Sequence, residues 1–186
     1  LDYYSKYGKE YKIIVADSSL EKNKKINKKI ASSFPNLDIL YLGKYIDEMP
    51  FTHSYKKIVN ALSHVKEKYC VICADDDFII PNGINQCVEF LESNQDFTVA
   101  LGYFVSFDMV ENKQGKNFCW FPMYSHKPII FSDAESRLKA HLSNLSQSTY
   151  YGVHRTALLK MAFGEAVKYT NDDKFGELLP SMLDII

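Results

Sequence analysis

Short apolar runs alternate with longer stretches in which apolar residues recur every three or four positions through the first half of the chain. The runs lie at 11–16, 37–42, 69–74 and 97–107. They are rich in β-branched and aromatic residues, so we interpret them as buried strands. The stretches between them predict helices at 21–34, from Thr52 or Ser54 to about 68, and at 84–94. Alternating strands and helices of these lengths predict an α/β fold with a mostly parallel sheet flanked by helices.

The second half of the chain breaks this alternation. Residues 108–132 are loop-rich and aromatic, and we interpret them as an insertion, a lid or an antiparallel edge. Beyond them the pattern predicts a short strand at 149–153 and helices at 132–144, 155–163 and 176–186. Because 186 residues leave little room for a second core, we expect a single domain over 1–186.

Composition and charge are those of an ordinary globular chain. Hydrophobic residues make up 46% and charged residues 24%, which argues against disorder. The net charge of −1 indicates no general affinity for nucleic acid. The lysine-rich stretch 21–29 is interpreted as a solvated helix face rather than a docking patch. No apolar run approaches the roughly 18 residues of a transmembrane helix, and we find no signal peptide.

Four cysteines raise the question of zinc or redox chemistry: Cys70, Cys73, Cys87 and Cys119. Cys70 and Cys73 have the C-x-x-C spacing, but they lie in a run that predicts a strand. Strand residues three apart point to opposite faces, and no second pair is present to complete a zinc site. We therefore expect four buried structural thiols, which fits a reducing, cytoplasmic setting.

Asp75, Asp76 and Asp77 directly follow the apolar run at 69–74. Adjacent carboxylates repel one another, so such a cluster is stable when it is solvated, caps backbone amides or is neutralised by a cation. Ligands of open α/β sheets bind at the carboxyl ends of the strands, and Mg²⁺ or Mn²⁺ prefers carboxylate oxygens and bridges phosphates. The triplet therefore predicts a site for a divalent metal and a diphosphate, with a turn plus a helix N-cap as the alternative.

The segment Val71–Gly83 reads V-I-C-A-D-D-D-F-I-I-P-N-G. It resembles the D-x-D region of nucleotide-diphospho-sugar transferases of the GT-A fold, in the large inverting group that is similar to family 2. Other segments follow in the order of that family: Ile13–Ser19, Lys57–Leu62, Tyr151–Arg155 and Asn171–Leu179. The resemblance extends from Tyr11 to Ile186. The first strand and polar loop of the family would precede Leu1 and are not found, which leaves part of the nucleotide pocket unaccounted for.

The resemblance implies a metal-dependent, inverting glycosyltransferase with a GT-A fold, Rossmann-like and mostly parallel. Residues 1–107 would then bind the nucleotide, and 108–186 would form the acceptor side. The donor would be a nucleoside diphosphate sugar, the acceptor a carbohydrate or another hydroxyl compound, and the cofactor Mn²⁺ or Mg²⁺. Oligomeric state is not indicated.

On the donor side, the resemblance assigns nucleotide contacts to Asp17, Lys57, Asn60, Asp75 and Asp76. The metal ligands would be Asp77 and Asp75. Asp17 would accept a hydrogen bond from the nucleobase, although a helix N-cap is an equally good interpretation. Lys57 would neutralise phosphate, with exposed solvation as its alternative.

On the acceptor side, the resemblance places the general base in the acidic segment, at Asp172, Asp173 or Glu177. The usual Glu-Asp pair of the family is missing, so the choice among the three stays open. Glu177 could instead serve the dipole at a helix start. His154 could meet phosphate or sugar, although a histidine at the surface or at the edge of the core is the better interpretation. Three aromatic residues could stack on a sugar ring or pack the loop: Trp120, Phe121 and Tyr124.

Two other classes of function remain open. Nucleotidyl or phosphoryl transfer also uses clustered aspartates with Mg²⁺, although the G-x-x-x-x-G-K-[ST] loop of kinases and ATPases is absent from the sequence. A nucleotide- or carbohydrate-binding module, or an inactive truncated relative, is the non-enzymatic alternative.

Overall fold

The computed structural model describes residues 1–45, 52–112, 115–124, 127–143, 149–170 and 173–186. Within these ranges the helices are α1 (Asp2–Tyr7), α2 (Glu21–Ser32), α3 (Thr52–Ser63), α4 (Pro81–Ser93), α5 (Ala134–Leu142), α6 (Thr156–Tyr169) and α7 (Asp173–Ile185). The strands are β1 (Lys12–Ala16), β2 (Asp38–Leu42), β3 (Tyr69–Val71), β4 (Val99–Ala100), β5 (Phe104–Asn112), β6 (Gly115–Tyr124) and β7 (Val153–Arg155). None of the described helices is both long and apolar enough to span a bilayer.

The prediction of a mostly parallel, Rossmann-like sheet of the GT-A type is wrong. Among the described strands only β1 and β2 pair in parallel, and they form a sheet of two. β7 lies between β3 and β4 and is antiparallel to both. Apolar periodicity indicates that a strand is buried but does not indicate the direction of its neighbours. Here the direction is decided by β7, which arrives from the far end of the sequence.

The strand predicted at 97–107 is divided in two. In its first part only the two residues of β4 form a strand, and its last residues belong to β5. β5 pairs with β6 in a long antiparallel hairpin. Phe107 lies opposite Trp120, and Gly115 opens β6 with a φ of 119°, a backbone conformation that favours glycine. The antiparallel alternative for residues 108–132 is therefore the correct one.

The hydrophobic core lies between α3 and α6. Tyr55 and Leu62 of α3 pack with Leu159 and Phe163 of α6, and all four side chains are buried. α7 crosses close to this core, since a Cβ atom at Gly176 would overlap the ring of Tyr55. The core therefore sets the position of the helix that carries the acidic segment.

α2 differs from the expectation for the lysine-rich stretch. Its predicted apolar face is exposed, with Ile26 at 58% and Ile30 at 47%, whereas Lys24 is buried. The Lys24 ammonium donates to the Glu21 carboxylate (2.8 Å) and to the Tyr45 carbonyl. These partners offset the cost of burying the charge, so Lys24 belongs to the interior and not to the solvated face.

Candidate functional site

A buried carboxylate lies at the carboxyl end of the parallel pair. Asp17 directly follows β1, and its backbone N–H donates to the Leu42 carbonyl (2.8 Å). Its Oδ1 accepts hydrogen bonds from the backbone N–H of Ser19 (2.8 Å) and from the Ser19 hydroxyl. Its Oδ2 accepts from the Asn27 amide (2.9 Å) and the Tyr41 hydroxyl (2.5 Å). Both carboxylate oxygens are thus occupied by donors of the chain itself.

This saturation changes the interpretation of Asp17. Burial alone would raise the pKa of the carboxyl, but the hydrogen bonds from Ser19, Tyr41 and Asn27 outweigh burial and hold the pKa well below its usual range. The N-cap position of α2 is occupied by Leu20, so Asp17 is not a helix cap. Asp17 is a charged anchor for the turn after β1. A nucleobase would have to replace one of these donors to bond with it.

Replacing Asp17 by Asn is expected to lower the free energy of unfolding by about 2–3 kcal/mol at neutral pH. The amide keeps the shape of the carboxylate but turns an N–H group toward neighbouring donors. Because the pKa of folded Asp17 lies below its ordinary value of 3.8, the charged form stabilises the fold above that pH. This contribution is lost as the pH falls below it.

Urea unfolding at pH 7 and pH 3 measures this effect, and the difference between wild type and Asp17→Asn should shrink at the lower pH. Asp38 is exposed at the opposite end of β2, so Asp38→Asn is the matched control and should change stability by no more than about 0.5 kcal/mol. An equal difference at both pH values would contradict the assignment.

Two more of the predicted donor-side residues, Lys57 and Asn60, lie beside the same strand ends. The Lys57 ammonium donates to the Ser18 hydroxyl (2.8 Å), and the Asn60 side-chain carbonyl accepts from the Tyr45 hydroxyl (2.5 Å). Both residues belong to α3, and their partners follow β1 and β2. The structure therefore brings Asp17, Lys57 and Asn60 into one polar cluster at the carboxyl ends of the parallel strands, the edge at which ligands bind in open sheets.

The three aspartates lie in the loop between β3 and α4, and all three side chains are exposed. Asp75 and Asp76 form a turn in which the backbone N–H of Asp77 donates to the Ala74 carbonyl (3.3 Å). The N-cap position of α4 is Ile80, so the N-cap alternative is wrong. Exposure to solvent is enough to keep these carboxylates stable without a cation.

α1, which the apolar pattern did not predict, packs against this acidic loop. The Tyr4 hydroxyl accepts from the backbone N–H of Ile79 (3.1 Å) and lies 3.8 Å from the Cys73 sulfur. Burial raises the pKa of Tyr4 to about 12. The Tyr11 hydroxyl donates to the Pro81 carbonyl (3.1 Å) at the start of α4. The loop that carries the aspartates is therefore held at both ends by tyrosines from the first residues of the chain.

The predicted metal ligands lie in this loop. In the part of the chain that the structure describes, no group of three or more His, Cys, Asp or Glu side chains is placed to hold a metal ion. The donors of the loop are all carboxylates, which suit a hard cation such as Mg²⁺ or Mn²⁺. These ions are commonly held by one or two carboxylates together with substrate phosphates. Asp75 and Asp77 therefore fit a metal that arrives with a diphosphate and do not form a cage by themselves.

Of the three candidate bases, Glu177 is the one whose surroundings are described. Asp172 lies outside the described residues, and of Asp173 only the backbone at the start of α7 is described. The expectation that Glu177 begins a helix is wrong, because α7 starts a full turn earlier. Its carboxylate is exposed.

Charges of both the acidic loop and α7 act on Tyr151. It lies just before β7, and its ring packs edge-to-face on Tyr150 with centroids 4.9 Å apart. Burial raises the pKa of the Tyr151 hydroxyl, and the nearby charges of Asp77, Glu177 and Asp76 raise it further. The charges of a predicted metal ligand and of a predicted base, far apart in sequence, therefore both act on one hydroxyl.

His154 and Arg155 do not face this site. His154 is buried, with Nε2 2.9 Å from the Thr149 carbonyl and Nδ1 3.3 Å from the Asp184 carboxylate. The Arg155 guanidinium donates to main-chain carbonyls at the end of α4 and just before β4. Both side chains hold the sheet to its neighbours, so the suggested contact of His154 with phosphate or sugar is wrong.

The expectation of four buried thiols is also wrong. Cys70 and Cys87 are partly buried, but Cys73 and Cys119 are exposed. Cys73 lies beyond the end of β3, which stops at Val71, and Cys119 lies on the hairpin. Cys73 is exposed because β3 ends before it, and Cys119 is exposed because it lies on a hairpin that leaves it open to solvent.

Sequence reasoning missed several residues that organise the site, among them Tyr41, Asn27 and Tyr151. Tyr41 carried one signal, since a tyrosine in a buried strand needs a partner for its hydroxyl. Asn27 bonds to Asp17 from the second turn of α2, and Tyr151 meets charges from distant parts of the chain; apolar periodicity indicates neither. No family model matches this chain, and no similar curated protein or solved structure is found.

Proposed function

We propose that this chain is a glycosyltransferase that moves a sugar from a nucleoside diphosphate sugar to an acceptor hydroxyl. The observation that carries the proposal is the polar group at the carboxyl end of β1, where the Lys57 ammonium donates to the hydroxyl of Ser18 (2.8 Å), the residue next to the buried Asp17. Sugar transfer requires one acidic group near the departing diphosphate and another near the attacking hydroxyl. The acidic loop and α7 supply one each.

The polar cluster at the ends of β1 and β2 supports a role in donor binding. Lys57 offers a positive charge for phosphate, and the Ser18 hydroxyl lies beside it (2.8 Å). Asn60, one turn further along α3, and Tyr45 offer an amide and a hydroxyl group that bond to each other (2.5 Å). Asp17 keeps the turn after β1 rigid, so these groups stay in position when a nucleotide binds.

A divalent metal held by Asp75 and Asp77 together with the diphosphate would neutralise charge on the leaving group. Glu177 would accept the proton of the acceptor hydroxyl while its oxygen forms the new bond to the anomeric carbon. The bond from that carbon to the phosphate oxygen breaks, and the nucleoside diphosphate leaves with the electron pair. The resemblance to inverting transferases implies that this occurs in a single displacement.

Nucleoside diphosphates with Mn²⁺ are expected to stabilise the folded chain. A ligand at about 100 times its Kd adds about 2.7 kcal/mol by mass action, which for a chain of this size raises Tm by roughly 5–10 °C. Thermal unfolding with UDP, GDP, ADP and CDP, each with and without Mn²⁺, measures the shift. Asp77→Asn is expected to remove the metal-dependent part, because the amide is a weak ligand for a hard cation.

Asp38 is an exposed carboxylate away from the loop. The Asp38→Asn variant should therefore show the same shift in Tm as the wild type. Stabilisation by triphosphates alone would favour nucleotidyl or phosphoryl transfer over sugar transfer. No response to any nucleotide would reject the proposal.

A further inference from the structure

One face of the hairpin is apolar and exposed. Residues paired across an antiparallel hairpin share a face. The pairs on this face, here called the apolar strip, are Val105 with Pro122, Phe107 with Trp120, and Met109 with Phe118. All six side chains are exposed, Trp120 by 64%. Toward the turn the same face continues with the charged pair Glu111 and Lys116. The opposite face is mixed, since Ser106, Asp108 and Asn117 lie there beside Phe121, Cys119 and Val110, whereas the apolar strip contains no charged side chain.

The size of the apolar strip bears on what covers it. Six side chains that are about half exposed present roughly 500 Å² of surface, since a large aromatic side chain has about 150–250 Å² to bury. Exposed patches of about 300–600 Å² on a monomer are often functional. A stable homodimer buries about 800 Å² on each partner. The strip is large enough for a ligand and too small by itself for a second copy of the chain.

The chemistry of the apolar strip favours a hydrocarbon over a saccharide. Apart from the indole N–H of Trp120, its six side chains carry no hydrogen-bonding group. A sugar that stacks on a ring also needs polar groups alongside for its hydroxyls. Phe121 pairs with Ser106 on the other face, so Trp120 and Phe121 cannot form one stacking platform.

The apolar strip is continuous with the candidate site. The ring of Phe107 lies 6.0 Å from that of Phe78, the residue that directly follows the three aspartates, and it stacks on Phe118 (5.5 Å). At the base of the hairpin Phe104 lies 6.1 Å from Tyr151. The middle of the strip therefore lies beside the residue that follows the three aspartates, and the base of the hairpin lies beside Tyr151.

We infer that the apolar strip holds the hydrocarbon chain of an amphiphilic acceptor, whose hydroxyl end lies among the carboxylates. A polar centre that continues into an apolar track is complementary to a molecule with one polar end and one apolar tail. This inference rests on the proposed function, because it names the class of acceptor.

Trp120 is the single tryptophan of the chain, so its fluorescence reports on the apolar strip. We would titrate the protein with methyl, hexyl and octyl β-glucoside, each below its critical micelle concentration. One buried methylene tightens binding about fourfold. The octyl compound should therefore bind roughly tenfold more tightly than the hexyl and shift the emission to the blue. The methyl compound should produce no shift.

Phe118→Ser on the strip should weaken octyl glucoside binding at least tenfold, because the variant lacks the ring that the bound octyl chain would cover. Phe121→Ser on the opposite face is the matched control and should bind normally; the two rings are 59% and 50% exposed, so both variants should fold. Equal losses in the two variants, or affinity that does not depend on chain length, would overturn the inference. So would a blue shift that rises with protein concentration alone, which would mean that a second copy covers the strip.

The nucleotide experiment on the same samples separates this inference from the proposed function. Nucleotide stabilisation without chain-length dependence would reject the apolar strip as the acceptor site and leave the transferase proposal standing. Chain-length dependence without any nucleotide stabilisation would reject the transferase proposal, and the role of acceptor would fall with it.

Discussion

Replacing Glu177 by Gln is expected to lower kcat about 10²- to 10⁴-fold, the contribution typical of a general base. Glutamine keeps the shape of the side chain but cannot take up the proton of the acceptor hydroxyl. Because Glu177 is exposed on α7, the fold should not change. Release of nucleoside diphosphate from a panel of donor sugars, with octyl β-glucoside as acceptor, measures the rate.

The position of Glu177 allows a test that separates chemistry from binding. Stabilisation of Glu177→Gln by a nucleoside diphosphate with Mn²⁺ should equal that of the wild type, because the metal and the diphosphate are assigned to the acidic loop. Glu89→Gln, an exposed substitution on α4, should keep full activity. A Glu177→Gln variant with wild-type kcat would exclude Glu177 as the base and direct attention to Asp172 and Asp173.

Truncating Phe163 to Ala is expected to lower the free energy of unfolding by about 3–5 kcal/mol. The Phe163 side chain has no exposed surface. Its ring lies between those of Tyr55 (centroids 6.3 Å apart) and Tyr150 (5.8 Å). Removal leaves a cavity between α3 and α6 that the surrounding helices can fill only in part. Urea unfolding monitored by circular dichroism gives the magnitude.

The same helix provides the control for this prediction. Met161 is 52% exposed on α6, so Met161→Ala should change the free energy of unfolding by no more than about 0.5 kcal/mol. Losses of similar size at the two positions would mean that α3 and α6 do not enclose the core. Because Tyr150 also contacts Tyr151 (4.9 Å), a loosened core should in addition disturb the site.

Local patterns predicted much of the secondary structure correctly. The apolar runs at 11–16 and 37–42 became β1 and β2, and helical spacing located α2, α3 and α4 to within a few residues at most of their ends. The placement of the aspartates in a loop directly after a strand was also correct in outline, although β3 ends at Val71. These features depend on residues close together in the chain, so the sequence contains the information needed to predict them.

Long-range pairing could not be predicted in this way. The strand after residue 149 reads as one more short apolar run, and nothing in it indicates that β7 enters between β3 and β4 in the antiparallel direction. α1 has no apolar periodicity, yet its Tyr4 hydroxyl accepts a hydrogen bond from Ile79 and so holds the acidic loop. The exposure of Ile26 and Ile30 could not be predicted either, because burial depends on which elements pack against a helix.

The sequence by itself determined where β1, β2 and most of the helices form and that a cluster of carboxylates follows a strand, because these depend on side-chain periodicity and on residue type. The tertiary structure alone decided the direction of the strands, the saturation of Asp17 by its neighbours and the support of the acidic loop by Tyr4. Each of these joins residues distant in the chain, and such contacts are selected by the packing of the whole core rather than by any local pattern.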